Sequence, residues 1–132
     1  MLIRSIVFAS VLACATACGG GPSADTPRQY CENFSSALCQ QVYACFTADE
    51  IAASGLPPEE SACITTSDAN RGCEAQTDAN ACTGGNETFD GIAAARCVDD
   101  VAGLTCAEVR ALLLQGVVPS DAPECAQVCV AH

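Results

Sequence analysis

The sequence predicts an all-α fold: a small disulfide-stapled helical bundle with an irregular middle loop. Three observations lead there. Helix-start signatures recur along the chain. Apolar residues fall at helical spacing, with no strand-like alternation for more than a few residues. The third is the cysteine content, 12 in 132 residues, far above ordinary usage. That content belongs to a disulfide scaffold in an oxidising compartment and excludes a reducing cytosol.

The first helix is expected from about Pro27 to Phe46. Thr26-Pro27-Arg28-Gln29 combines an N-cap Thr, a Pro at the first helical position and Gln at the third. Cys31, Phe34, Leu38, Val42 and Cys45 then lie on one helical face. Thr47-Ala48-Asp49-Glu50 is a capping box opening a short helix that Gly55 closes. Pro57 and Pro58 start another turn or helix, with Glu59 and Glu60 in the acidic first turn that the macrodipole favours. Thr65 to Thr88 is rich in Asn, Asp, Gly, Thr and Ser and reads as a disulfide-held loop with at most a short helical piece. Helix returns near Phe89, runs through Ile92-Ala93-Ala94-Ala95-Arg96-Cys97-Val98 and ends near Gly103. Thr105-Cys106-Ala107-Glu108 is a further capping box, leading Val109 and Leu112 to Leu114 into a stop at Gly116. Asp121-Ala122-Pro123-Glu124 is a fourth start, after which Cys125 and Cys129 share one face.

The N-terminus carries an address. Arg4 precedes a run of mostly apolar residues from Ser5 to Ala17, with small residues at its end, so residues 1–17 read as an export signal. A helix of that run is about 20 Å long, short of the roughly 30 Å a bilayer core needs. Ala15-Thr16-Ala17-Cys18, followed by Gly19-Gly20-Gly21, resembles the lipobox of bacterial lipoproteins. Val11-Leu12-Ala13-Cys14 also fits, but cleavage before Cys18 leaves ten cysteines, an even number, and cleavage before Cys14 leaves eleven. The resemblance implies lipidation of Cys18 by a diacylglycerol, usually with a third, amide-linked acyl chain, and hence a stable hold on the lipid bilayer. Gly19 after the Cys is similar to the outer-membrane signal of Gram-negative lipoproteins. Residues 18–26 form the expected flexible Gly/Pro/Ser linker, and 27–132 the cysteine-rich helical domain. Loss of the signal takes Arg4 with it and leaves a net charge of −12. So acidic a domain repels phosphate, which argues against nucleic acid as a partner.

Ten cysteines are expected to pair: Cys31, Cys39, Cys45, Cys63, Cys73, Cys82, Cys97, Cys106, Cys125 and Cys129. Cys31 and Cys45 lie about 21 Å apart on one helix, whereas a disulfide needs Cα atoms within roughly 7 Å. Cys39 is likewise out of reach of both, so all three must staple their helix to other elements. Cys125 and Cys129 are expected to bond outward, and Cys73 with Cys82 is the local pairing that the turn-rich segment suggests. Each bridge typically adds about 2–4 kcal/mol by restricting the unfolded chain.

Groups that would name a reaction are missing. His132, the one His, stands at the end of the sequence, a poor place to orient a base. There is no Lys and no Cys-x-x-Cys, which removes a Schiff base, a P-loop, a thioredoxin-like pair and a zinc ribbon. Cys125-x-x-x-Cys129 reads as disulfide rather than metal chemistry. The pairs Asp49-Glu50, Glu59-Glu60 and Asp99-Asp100 read as solvated carboxylates. Asp68-x-Asn70 and Asp78-x-Asn80 fail the calcium-loop pattern and suit Asx-turns. No catalytic residue, metal or cofactor is therefore assigned.

The lipobox with its Gly run, the Ala-rich helix with Cys97, Cys106 at a helix start and Pro123-Glu124-Cys125 together resemble the small cysteine-rich predicted lipoproteins of large-genome Gram-negative bacteria. That group supplies no activity and no site residues. Plant lipid-transfer domains are excluded, because they need adjacent Cys-Cys and Cys-x-Cys. The expectation is a non-enzymatic binding or surface module anchored in the cell envelope, at the outer membrane, with an envelope or extracellular protein as partner. The alternative is a secreted or tethered inhibitor or small enzyme that uses the loop Thr65–Thr88.

Overall fold

A computed structural model describes residues 24–115 and 122–131. Within them the order is α1 (Pro27–Cys45), α2 (Ala48–Ala53), α3 (Glu60–Arg71), β1 (Glu87–Phe89), α4 (Gly91–Ala102), α5 (Cys106–Gln115) and β2 (Cys129–Ala131). Short 3₁₀ turns occupy Cys73–Ala75 and Pro123–Gln127. The fold is the all-α bundle that the caps and spacing predict. Residues 1–17, Cys18, Gly116, Asp121 and His132 lie outside the described residues.

The helix starts follow local chemistry. Thr26 Oγ1 accepts the Gln29 amide at 3.3 Å, with Pro27 opening α1. At Thr47 the box closes in both directions: its hydroxyl accepts the Glu50 amide, and its own amide donates to the Glu50 carboxylate at 2.8 Å. Thr105 and Glu108 repeat this, the Thr105 amide donating at 2.7 Å. The cap of α4 is Asp90, whose Oδ1 accepts the Ile92 and Ala93 amides at 2.9 and 3.0 Å.

Helix α1 is central. It packs most extensively on α4, then on α3, with α5 beyond its C-terminal half. Two stripes serve these neighbours. Tyr30, Ala37 and Gln41 face α4, where the Tyr30 hydroxyl lies 3.5 Å from Cys97 Sγ and the Gln41 amide donates to the Ala102 carbonyl. Cys31, Ser35 and Cys39 face α3 and its following turn, and fully buried Ser35 accepts the Ser67 hydroxyl at 3.1 Å. The single face expected for α1 is therefore corrected. A helix held between two partners buries a wider arc, and Phe34, Leu38 and Cys45 are only half-buried. Opposite α1, α4 offers Ala93, Ala94, Cys97, Val98 and Val101, a buried face whose small residues permit close approach. Ile51, Leu104, Val109 and Val128 complete the core.

Five disulfides staple the chain: Cys31–Cys73, Cys39–Cys63, Cys45–Cys106, Cys82–Cys129 and Cys97–Cys125. Each cysteine of α1 reaches a different element, as the distance argument requires. The expected Cys73–Cys82 pair is absent. Helix α3 extends to Arg71, antiparallel to α1, and Gly72 at φ 64° turns the chain so that Cys73 meets Cys31. Cys82 is left to bridge the C-terminal strand. The irregular middle is accordingly shorter than expected, since Thr65–Arg71 is helical and Asp68 and Asn70 sit in that helix rather than in Asx-turns. Asn80 does hold a turn, accepting the Thr77 amide at 2.7 Å and donating to the Ala75 carbonyl at 2.9 Å.

Two further expectations are corrected. Cys125 lies in a 3₁₀ turn and Cys129 in β2, so they do not share a helical face, although both do bond outward. β2 pairs antiparallel with β1, Thr88 opposite Val130, in strands too short to show alternation. The chain is also packed before Pro27. Ala24 is fully buried, and its carbonyl lies 3.4 Å from where a Cβ on Gly91 would stand, so the expected linker ends short of Ala24.

Reducing all five bridges is expected to abolish helical circular dichroism at about 37 °C, because a core this small relies on them. Retained ellipticity with all ten thiols alkylated would contradict this. Asp90→Ala is expected to cost about 1 kcal/mol, read as a lower denaturant midpoint at unchanged slope.

Candidate binding cleft

The cleft begins with two α1 residues that the neighbouring helices cover only in part. Tyr30 and Phe34 stand one turn apart, their rings 5.8 Å between centroids and edge-on, and Phe89 from the end of β1 lies 6.0 Å from Tyr30. These rings wall a cleft of about 410 Å³, within the range of small-molecule sites. Arg71, Gln76 and Ala126 are among the residues that line it. The aromatic bodies give apolar area and flat faces.

Three disulfides fix the walls. Cys31, Cys125 and Cys129 line the cleft, each tied to a different segment. The rings are thus set by covalent links as well as packing, and little ordering remains to be done on binding. Burial raises the pKa of Tyr30, and the nearby charge of Arg71 opposes that rise. Tyr30 is therefore a neutral phenol at physiological pH, with its hydroxyl turned toward Cys97.

Arg71 is the charged group here. Its guanidinium carbon lies 4.6 Å from the Phe34 ring centroid, a cation–π contact at the cleft edge. It ends α3, next to the Gly72 turn and two residues before the Cys31–Cys73 bridge. Sequence reasoning missed it, and the sequence misleads. Asp68 stands three residues earlier, the spacing of a helical ion pair, yet no such pair forms.

A second polar cluster serves structure. Arg110 reaches from α5 to Glu50 of α2, at 2.7 and 3.2 Å, and donates to the Cys45 carbonyl at 2.8 Å over the Phe46 ring. It ties the end of α1 to the starts of two helices beside the Cys45–Cys106 bridge. The Arg110 hydrogen bonds, then the Thr47 amide, lower the Glu50 carboxyl from its ordinary 4.5 to about 2.

The remaining sequence candidates are placed as follows. Asp49 is exposed, while its neighbour Glu50 is engaged as just described. Glu59 is the N-cap of α3 without a side-chain hydrogen bond, and Glu60 lies in the first turn. In the Asp99-Asp100 pair, Asp99 is exposed, whereas Asp100 is half-buried with Oδ2 enclosed and unpartnered among the described residues. The structure brings none of these pairs to the cleft. No group of three metal-ligating side chains occurs among the described residues. Of the expected loop, only residues 76–86 remain irregular. No described helix is long and apolar enough to cross a membrane. No protein family, curated protein or solved structure matches the chain.

The Glu50 shift predicts a pH effect. The fold favours the ionised form, so its contribution is complete above about 4.5 and is lost as pH falls toward about 2. Glu50→Gln is expected to lower stability near neutral pH and to flatten the acid limb of the stability profile across that window. A Glu50→Gln profile parallel to wild type throughout would refute the assignment.

Proposed function

We propose that the protein is a non-enzymatic binding module, tethered to the cell envelope through lipid on Cys18. The observation that carries the binding half is the aromatic cleft, preformed and held by three disulfides. A site of rings and one guanidinium recognises a ligand but offers no base, nucleophile or paired carboxylates for turnover. The anchor half rests on the lipobox-like Ala15-Thr16-Ala17-Cys18 and on the even number of cysteines that follow it. Five bridges suit the oxidising side of a membrane.

The tether bears on how the module presents itself. Ala24 is the first described residue and is packed, so five residues separate it from Cys18. A span of six Cα–Cα steps reaches at most about 21 Å. The domain therefore works close to the surface that holds it, and its acidity keeps it from lying flat on anionic lipid.

Intact mass spectrometry of the protein extracted from its native membrane tests this reading. The expected mass is residues 18–132 plus acyl chains, with ten alkylatable thiols only after reduction. A lipid-free mass would overturn the anchor and make this a secreted protein.

A further inference from the structure

The charge pattern of the cleft points to the chemistry of its ligand. Three of the four arginines after the signal face a carboxylate: Arg28 with Glu32, Arg96 with Glu124 and Arg110 with Glu50. Arg71 has no carboxylate partner and no side-chain hydrogen bond among the described residues, in a chain with sixteen Asp and Glu. Its positive charge is left where the walls are aromatic. The Phe34 contact places the guanidinium carbon 4.6 Å from the ring centroid, and no described residue accepts from its N–H groups.

Building on the binding-module reading, we propose that the cleft takes a small aryl carboxylate. The carboxylate accepts two parallel N–H bonds from Arg71, and the flat ring lies against Tyr30, Phe34 and Phe89. Each part answers a physical requirement. A carboxylate drawn into an apolar cleft needs a paired charge, and the planar fork of Arg71 matches its two oxygens. An aromatic body gains edge or offset contact with the fixed rings, whose positions the Cys31–Cys73 and Cys82–Cys129 bridges set from either side. A cation is disfavoured in the cleft because Arg71 covers Phe34, although the acidity of the domain would attract it at long range.

The test is calorimetric titration of the full oxidised chain in detergent, with detergent alone as reference. Three probes on one ring system are used: 2-naphthoate, the neutral 2-naphthamide and the cationic 2-naphthylmethylammonium. Saturable one-to-one binding of naphthoate is expected, at least tenfold tighter than either analogue. Arg71→Gln is expected to erase that preference while lowering the melting temperature by only a few degrees, since Arg71 is exposed and loses only its contact with Phe34. Equal affinity for all three probes, or naphthoate binding untouched by Arg71→Gln, overturns the carboxylate assignment. Absence of naphthoate binding overturns the proposal. Failure of the anchor would show separately, as a lipid-free mass.

Discussion

Everything in this fold is arranged around one helix whose three cysteines cannot reach one another. Cys31, Cys39 and Cys45 are spread along α1 by the fixed rise of an α-helix, and each must find its partner elsewhere. Cys31 and Cys39 bind Cys73 and Cys63 in reverse order, which sets α3 antiparallel to α1. Cys45 binds Cys106 and fixes where α5 begins. A rigid rod with three bonds leaving it acts as a ruler for the rest of the chain. The constraint works mainly on the unfolded ensemble, which loses loop entropy at each closure.

The C-terminal half follows a related plan. Cys82–Cys129 encloses Cys97–Cys125, so the last segment runs back along β1 and α4. The two halves meet where α1 packs on α4, and the small face of α4 lets the backbones approach. Polar pairs bridge the seams: Ser35 with Ser67, Gln41 with Ala102, Tyr43 with Pro57. The Arg110 cluster adds a charge-assisted tie at the far end of α1 from the cleft.

The cleft is a consequence of this arrangement. Because α1 is gripped on two sides, the residues between the two grips are not fully covered. Phe34 is one of them, and Tyr30 beside it is walled on only part of its surface. Phe89 and the 3₁₀ turn around Cys125 close the space without filling it. Arg71 enters because the Gly72 turn ends α3 beside Phe34. Rigidity and ligand chemistry therefore share a source, since the bridges that stabilise the domain also position the rings.

Much of the local structure was legible in the residues alone. Thr26, Thr47 and Thr105 begin helices because their hydroxyls accept an amide within the first turn, and Glu50 and Glu108 close the box at the latter two, a contest settled within a few residues. The geometry of a straight helix was enough to forbid any bridge within α1. The disulfide partners were not legible, nor the small sheet, nor the freedom of Arg71. Closeness in sequence suggests Cys73 with Cys82, but the packing of α3 on α1 brings Cys31 to Cys73, with Cα atoms 5.4 Å apart. Asp68 stands at pairing distance along the helix from Arg71, yet the guanidinium turns to Phe34, from a different helix. Caps and helix lengths depend on interactions within one turn, which the sequence spells out; bridges and the cleft depend on which surfaces meet, and that was decided only when the helices packed.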